Sequence, residues 1–246
     1  MPESLRIFPA ADLLLVQSAL SDCPYLPGLQ ATQEIAVARL AHPFDIHSSE
    51  AYQELLDRGF RRMGDMFYRP ACATCSECRS LRVPVAAFAP SRSQRRVARR
   101  NADVSVAIEP PSDNDEQWRV YAVYQAGQHA NHDRDRESFE SLMTGSPIDT
   151  LQMTYRVGGR LVAVGVVDVC PRGVSSVYFY FDPAESRRSL GVFSALCEIQ
   201  ECRRRGLPYW YVGYWVRDCR KMQYKSQYRP HELLDRDGVW RPATQI

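Results

Sequence analysis

Lysine is almost missing from this chain. Of its 31 lysines and arginines only Lys221 and Lys225 are lysines, which leaves 29 arginines. Arginine suits planar, bidentate contact with phosphate and stacking on bases, although an arginine bias also follows from genomic coding composition. The two lysines lie four residues apart in Arg220-Lys221-Met222-Gln223-Tyr224-Lys225. A compact ammonium is therefore expected to serve there, either binding an anion or acting at a reacting centre. Long apolar runs are missing too: the longest, such as 161–169, are too short and interrupted to span a bilayer, which excludes a membrane role. Cysteine is sparse for a stapled secreted fold, with 8 in 246 residues, and no signal peptide opens the sequence. A disulfide framework is not expected, and the expected compartment is the cytoplasm. The formal net charge is only +2, so any strong positive field is local. With 45% hydrophobic and 24% charged residues, there is material for one large or two modest cores.

Against these absences stand two concentrations. Cys72, Cys75 and Cys78 are separated by two residues each, a spacing that turns neighbouring thiols to one side of a tight turn. Cys23, in the turn-rich Asp22-Cys23-Pro24-Tyr25-Leu26-Pro27-Gly28, is the candidate fourth ligand, and zinc and an iron-sulfur cluster both suit the set. Cys170, Cys197 and Cys202 lie on apolar or periodic stretches and read as core residues, while Cys219 is left open. The second concentration is Ser91-Arg92-Ser93-Gln94-Arg95-Arg96-Val97-Ala98-Arg99-Arg100-Asn101, a helix with arginines on more than one face. A solvated face accounts for such a run, but like charges this close repel unless an anion offsets them, which favours RNA or phosphate.

The prolyl, acidic stretch 109–116 has no apolar periodicity and reads as a linker. It divides the chain into an N-terminal domain, 1–108, holding the cysteines and the basic run, and a C-terminal domain, 109–246. In the first, 32–41 and 49–58 have helical or mixed patterns, 60–68 looks extended and 81–88 alternates like a strand. In the second, 118–126 and 139–142 read as helices. Residues 151–157, the turn Gly158-Gly159, 161–169 and 175–181 predict an antiparallel meander. A helix over 192–205, ended by Gly206, and a strand over 207–216 complete a βαβ unit, so the class is α+β.

The helix N-terminus of that unit presents free N–H groups suited to an anion or an acyl carbonyl. The order resembles the acyl-CoA N-acyltransferase (GNAT) fold, in which arginine or glutamine, small residues and glycine open the helix that carries the acyl donor. In Arg188-Ser189-Leu190-Gly191-Val192-Phe193, Phe193 replaces the usual second glycine or alanine. A GNAT-like mixed sheet with flanking helices is therefore expected with a different donor.

Five blocks then become informative together: Cys23-Pro24-Tyr25-Leu26-Pro27; Arg69-Pro70-Ala71-Cys72 with Cys78-Arg79-Ser80-Leu81-Arg82-Val83; Phe88-Ala89-Pro90-Ser91-Arg92; Ser189-Leu190-Gly191; and Tyr211-Val212-Gly213-Tyr214-Trp215 with Lys221-Met222-Gln223-Tyr224-Lys225. In this order, from about residue 23 to 240, they resemble the aminoacyl-tRNA protein transferases, in particular the short bacterial aspartate/glutamate leucyltransferase branch. Gly127-Gln128-His129 departs from the family's usual arginine before the histidine.

The resemblance implies transfer of leucine from leucyl-tRNA to the free α-amine of proteins beginning with aspartate or glutamate, which marks them for degradation by the N-end rule pathway. Arginyl-tRNA is the alternative donor. An acyl-CoA-dependent N-acetyltransferase would not need the arginine run, and a non-catalytic zinc and RNA-binding module would not need the βαβ unit. An amine with a pKa of about 8 and an activated ester need alignment and oxyanion stabilisation more than acid-base machinery, so no cofactor is obligatory for transfer. Ser189, Leu190 and Gly191 are then expected at the reacting carbonyl, and Lys221 and Lys225 at the acidic acceptor side chain or the tRNA terminus. Arg92, Arg95, Arg96, Arg99 and Arg100 are expected on the RNA. Tyr178, Tyr180 and Tyr214 are candidates for the leucine and adenine sites, with core filling as the competing role for the first two. Asp168 and Asp182 are candidate amine partners. The longer arginyl enzymes of the family link their N-terminal cysteines to an iron-sulfur cluster, which makes Cys23, Cys72, Cys75 and Cys78 candidates for a similar centre.

Overall fold

A computed structural model describes residues 13–38, 48–128 and 135–243; His129 lies outside them. The first part contains β1 (Leu13–Gln17), β2 (Ser21–Asp22), β3 (Gln30–Ala31), β4 (Gln33–Ala38), α1 (Ser49–Asp57), β5 (Arg61–Met63), β6 (Met66–Pro70), β7 (Arg79–Pro84), α2 (Arg92–Arg100) and β8 (Val104–Glu109). The second contains α3 (Asp115–Gln128), α4 (Arg136–Thr144), β9 (Thr150–Val157), β10 (Arg160–Cys170), β11 (Gly173–Phe181), a 3-10 turn (Pro183–Arg188), α5 (Leu190–Arg204), β12 (Tyr209–Trp215), α6 (Arg220–Gln223), a second 3-10 turn (Tyr224–Gln227), β13 (Glu232–Leu234) and β14 (Trp240–Pro242). None of the described helices is long and apolar enough to cross a membrane.

An eight-stranded mixed sheet in the order β14-β13-β7-β12-β11-β10-β9-β8 organises the molecule, beside a four-stranded sheet β1-β4-β6-β5. The expected meander forms as β9, β10 and β11, paired antiparallel. Its first turn works because Gly158 and Gly159 both take positive φ, a region closed to most side chains. Among the described residues only β11 and β12 pair in parallel, across α5. The alternation of each central strand sorts its side chains between two layers. Trp210 and Val212 join Leu190, Ala195 and Ile199 of α5 on one face. Tyr211 and Tyr180 join the residues of α1, α3 and α4 on the other.

One expectation is corrected. Residues 33–38 form strand β4, where the pattern predicts helical or mixed structure, because Gln-Glu-Ile-Ala-Val-Ala is held from both sides by β1 and β6. The large sheet continues across residue 109. β7 and β8 precede it, yet β7 pairs with β12 and β13, and β8 with β9. The loop itself is fastened down, with the Ser112 amide donating to Gln152 Oε1 at 3.1 Å.

Candidate active site

β11 and β12 stay together only from Gly173–Tyr209 to Ser175–Tyr211. Beyond that point each strand carries an irregularity: β11 slips against β10 between Ser176 and Tyr178, and β12 slips against β7 between Tyr211 and Gly213. Bulges bend strands and re-aim side chains, and here they open the sheet. Gly213 takes φ +97°, a conformation that suits glycine. A cavity of about 320 Å³ fills the opening, walled by Phe179, Phe181, Val192 and Val212 and bordered by Ser189 and Gly191.

The lip of this cavity is the start of α5. Ser189 stands in the left-handed region at φ 56° and its side chain makes no cap bond. For a residue other than glycine this costs on the order of 1 kcal/mol and tends to persist at functional positions. The N–H groups of Leu190 and Gly191 precede the first i→i−4 bonds of the helix and so remain available, beside the positive end of its dipole. A Cβ on Gly191 would only reach ordinary contact, 3.6 Å from Phe179, so glycine here widens the mouth without relieving a clash. Phe193, the departure from the acyl-CoA pattern, faces Tyr155 with ring centroids 6.0 Å apart, so its bulk lies in the core.

A polar network forms the floor. Glu198 on α5 is 5% exposed and accepts from Ser194 Oγ at 3.0 Å, from Trp210 Nε1 at 2.8 Å and from Ser176 Oγ. Tyr155 donates to Ser194 at 2.9 Å. Burial raises the Glu198 pKa against the pull of these three donors and of Arg61.

The basic helix sits beside the same mouth. A capping box starts α2: Ser91 Oγ accepts from the Gln94 amide, and the Ser91 amide donates to Gln94 Oε1 at 2.8 Å. Gln94 is buried and also reaches the carbonyl of Gln227, a residue lining the cavity, at 3.5 Å. At the other end Asn101 donates to the Arg188 carbonyl at 2.9 Å, and Arg100 to that of Arg187 at 2.6 Å. Arg92, Arg95, Arg96, Arg99 and Arg100 are all exposed, and among the described residues none pairs with a carboxylate. Geometry thus brings together the two features that lie a hundred residues apart in sequence.

Other expected site residues are placed elsewhere. Tyr180 is fully buried against Tyr121, Phe139 and Met143 on the far face of the sheet, and Tyr178 accepts from Gln125 there at 2.8 Å. Both therefore belong to the α3–α4 layer and not to the cavity. Tyr214 is buried, its hydroxyl donating to the Gly59 carbonyl at 2.9 Å, and fastens β12 to the N-terminal part. Asp168 is fully buried and chelated by Arg62, and Asp182 caps the 3-10 turn through the Ala184 amide and pairs with Arg160 at 2.7 Å. Neither is free to meet an amine. Lys221 is exposed, whereas Lys225 is buried.

Two family models match the chain: Arginine-tRNA-protein transferase, N terminus, over residues 21–96, and Arginine-tRNA-protein transferase, C terminus, over residues 116–235. The chain belongs to the arginine-tRNA-protein transferase family. Within it, proteins named aspartate/glutamate leucyltransferase from Pseudomonas fluorescens (strain SBW25) and Pseudomonas aeruginosa (strain LESB58) are each 42% identical over 215 residues, covering 86% of this chain and 89% of theirs. The crystal structure of FemX shares the fold, with a TM-score of 0.51 at 8% identity over 91% of this chain and 86% of that one.

The cysteines at the N-terminal end of the family match are gathered but not closed around a point. Cys23 follows β2, and Cys72, Cys75 and Cys78 lie between β6 and β7, all half-buried. Cys23 Sγ accepts from the Leu26 amide at 3.4 Å, and Cys72 reaches the Thr32 carbonyl at 3.7 Å. The Cys78 thiol is pushed up to about 12, by burial first and then by Cys23, Cys72, Cys75 and Glu77. Among the described residues no three side chains of His, Cys, Asp or Glu stand in a coordinating arrangement.

Sequence reasoning missed Arg61, Glu198 and Trp210, and gave Gly213 no role beyond its place in a block of resemblance. One of them left a local signal: Glu198 is a carboxylate between Cys197 and Ile199 on the apolar face of a helix. The others are defined only by the opening between β11 and β12.

Proposed function

We propose that the protein transfers leucine from leucyl-tRNA to the α-amine of proteins whose first residue is aspartate or glutamate, the activity for which its relatives are named. The supporting observation is that α2, whose five arginines meet no carboxylate among the described residues, is fastened to the mouth of the cavity that the start of α5 borders. An RNA backbone on α2 would bring its aminoacylated end to that mouth.

The amine attacks the ester carbonyl, an amide bond forms, the carbonyl–ribose oxygen bond breaks, and one proton passes from the amine nitrogen to the departing ribose oxygen. The Leu190 and Gly191 N–H groups are suited to the oxyanion. Apolar walls of Phe179, Phe181, Val192 and Val212 suit a leucyl side chain. An arginyl side chain would need a buried carboxylate of its own, and Glu198 is already taken by Ser176, Ser194 and Trp210. The test is transfer of labelled amino acid from leucyl-tRNA and arginyl-tRNA to peptides beginning with Asp, Glu, Arg or Ala. Leucine on the acidic peptides alone is expected; arginine in its place would overturn the donor assignment.

The four cysteines are proposed as a zinc or iron-sulfur centre of structural or regulatory kind. In support, two loops bring four soft donors together, and a bound cation would offset the conditions that keep Cys78 protonated. Metal analysis and the visible spectrum of the purified protein should show one centre per chain, lost in Cys78→Ser. Protein purified anaerobically without metal, and equally stable in the variant, would refute it.

A further inference from the structure

Behind the split stand two buried basic side chains, with no carboxylate paired to either among the described residues. Arg61, 9% exposed, enters from β5 on the side opposite α5; it donates to Ser175 Oγ at 3.0 Å and to the Ser176 carbonyl. Lys225, 8% exposed, lies on the second 3-10 turn and donates from Nζ to the Tyr214 carbonyl at 2.7 Å. The two meet at Gly213. A Cβ built there would lie 3.3 Å from Lys225 Nζ and 3.6 Å from Arg61 Cζ, so the glycine lets both cationic groups close on the bulge, where a side chain would press on Lys225.

Neither cation forms an ion pair among the described residues. Leaving one charge buried and uncompensated is costly, and placing a second beside it adds repulsion. Burial, and then Arg61, hold the Lys225 ammonium down to about 7, with Cys219 acting in the opposite direction. Glu198 feels the Arg61 charge from a distance but makes no ion pair with it, its oxygens being engaged by Ser176, Ser194 and Trp210. These are the features of a site completed by an anion from outside the chain.

We propose that Arg61 and Lys225 form the subsite that receives the side-chain carboxylate of the acceptor's first residue. This rests on the leucyl-transfer reading and assigns its acceptor specificity. The carboxylate sits at the back of the split. The α-amine, two or three carbon atoms away along the same residue, then projects forward towards the cavity where Leu190 and Gly191 face the ester. Lysine's flexible stem accommodates the one-methylene difference between aspartate and glutamate. Asparagine and glutamine, of matching shape, bring no charge to neutralise Arg61 or to draw a proton onto Lys225, and are rejected.

Leucine transfer to peptides beginning with Asp, Glu, Asn, Gln or Ala tests this, with Lys225→Met and the conservative Arg61→Lys compared with the unaltered protein. K225M should lower kcat/KM for the Asp and Glu peptides about a hundredfold, with the KM for leucyl-tRNA within about twofold of its starting value, so that the Asp-over-Asn ratio collapses towards one. R61K should lose less, about tenfold, and keep the preference. An equal loss on every peptide, or an unchanged Asp-over-Asn ratio in K225M, overturns the assignment. No leucine transfer by the unaltered protein overturns the leucyl-transfer reading, which is a separate result. As a measurement without tRNA, the dipeptide Glu-Ala should raise Tm of the unaltered protein where Gln-Ala does not, and K225M should abolish the difference; a Tm rise retained in K225M counts against the proposal. Lys225→Gln replaces K225M in both assays if the latter does not fold.

Discussion

Two adjacent arginines on β5 are buried to nearly the same depth and live in opposite electrostatic circumstances. Arg62 grips Asp168 with both edges of its fork, Nε to Oδ2 at 3.0 Å and Nη2 to Oδ1 at 2.7 Å, and Thr150 donates to the same carboxylate at 2.7 Å. Every charge there has its answer inside the chain. Arg61, one residue earlier and turned towards the opening between β11 and β12, bonds hydroxyl and carbonyl oxygens beside a second cation, and the one carboxylate that feels it, Glu198, forms no ion pair with it. A buried charge with its own counterion reads as scaffold, and one without it reads as a place kept for a ligand. The comparison also explains why Asp168, a reasonable candidate for an amine on sequence grounds, is unavailable.

Breaking the scaffold side should have the largest effect. Asp168→Asn leaves Arg62 buried without its counterion and is expected to cost about 3–5 kcal/mol, measured as a drop in urea midpoint with little change in m-value. The basic helix comes next. Replacing Arg95, Arg96 and Arg99 together with glutamine should weaken tRNA binding at least tenfold and flatten its salt dependence by roughly 0.7–0.9 log units for each phosphate no longer neutralised; an unchanged slope would mean that these arginines do not meet the RNA. The smallest effect sharpens the ligand side. Lys225 has a folded pKa of about 7, below its ordinary value of 10.5, so between these pH values the unfolded chain holds a proton that the folded chain has released. Stability at this group should therefore rise with pH above 7, by roughly 1 kcal/mol from pH 7 to 8. Arg61 and Cys219 are the charged and titratable groups that act on Lys225. K225M should remove that slope, and an identical stability–pH profile in the variant would show that the lysine is not titrating there.

Elements whose signal is local were legible. The span of α2 is written in its capping box and arginine spacing, and the meander in its β-branched runs and paired glycines. The same holds for the cavity lip, since a strand, a short polar turn and a helix are visible in the order of residues 175–205. What was not legible depends on partners distant in sequence. Six residues of β4 are too few to separate a period of 2 from one of 3.6. The alternation that puts Phe179 and Phe181 at the cavity and Tyr178 and Tyr180 behind it is ambiguous until one knows which face α5 covers. Lys225 drew notice as a rare lysine, but its burial beside Arg61 follows from the approach of residues more than 160 positions apart, and nothing in the local pattern encodes that.

The position of β7 has a consequence for how the chain is made. Its two sheet partners, β12 and β13, are Tyr209–Trp215 and Glu232–Leu234, while β7 itself is Arg79–Pro84. On the ribosome, residues 79–84 emerge long before either neighbour and wait through the synthesis of about half the protein with both edges open. The loop with Cys72, Cys75 and Cys78 ends where that strand begins. The strand gains its sheet neighbours only after β12 and β13 have been made, and Lys225 lies between those two strands, so the pairing of β7 and the placing of Lys225 draw on the same late segment of the chain.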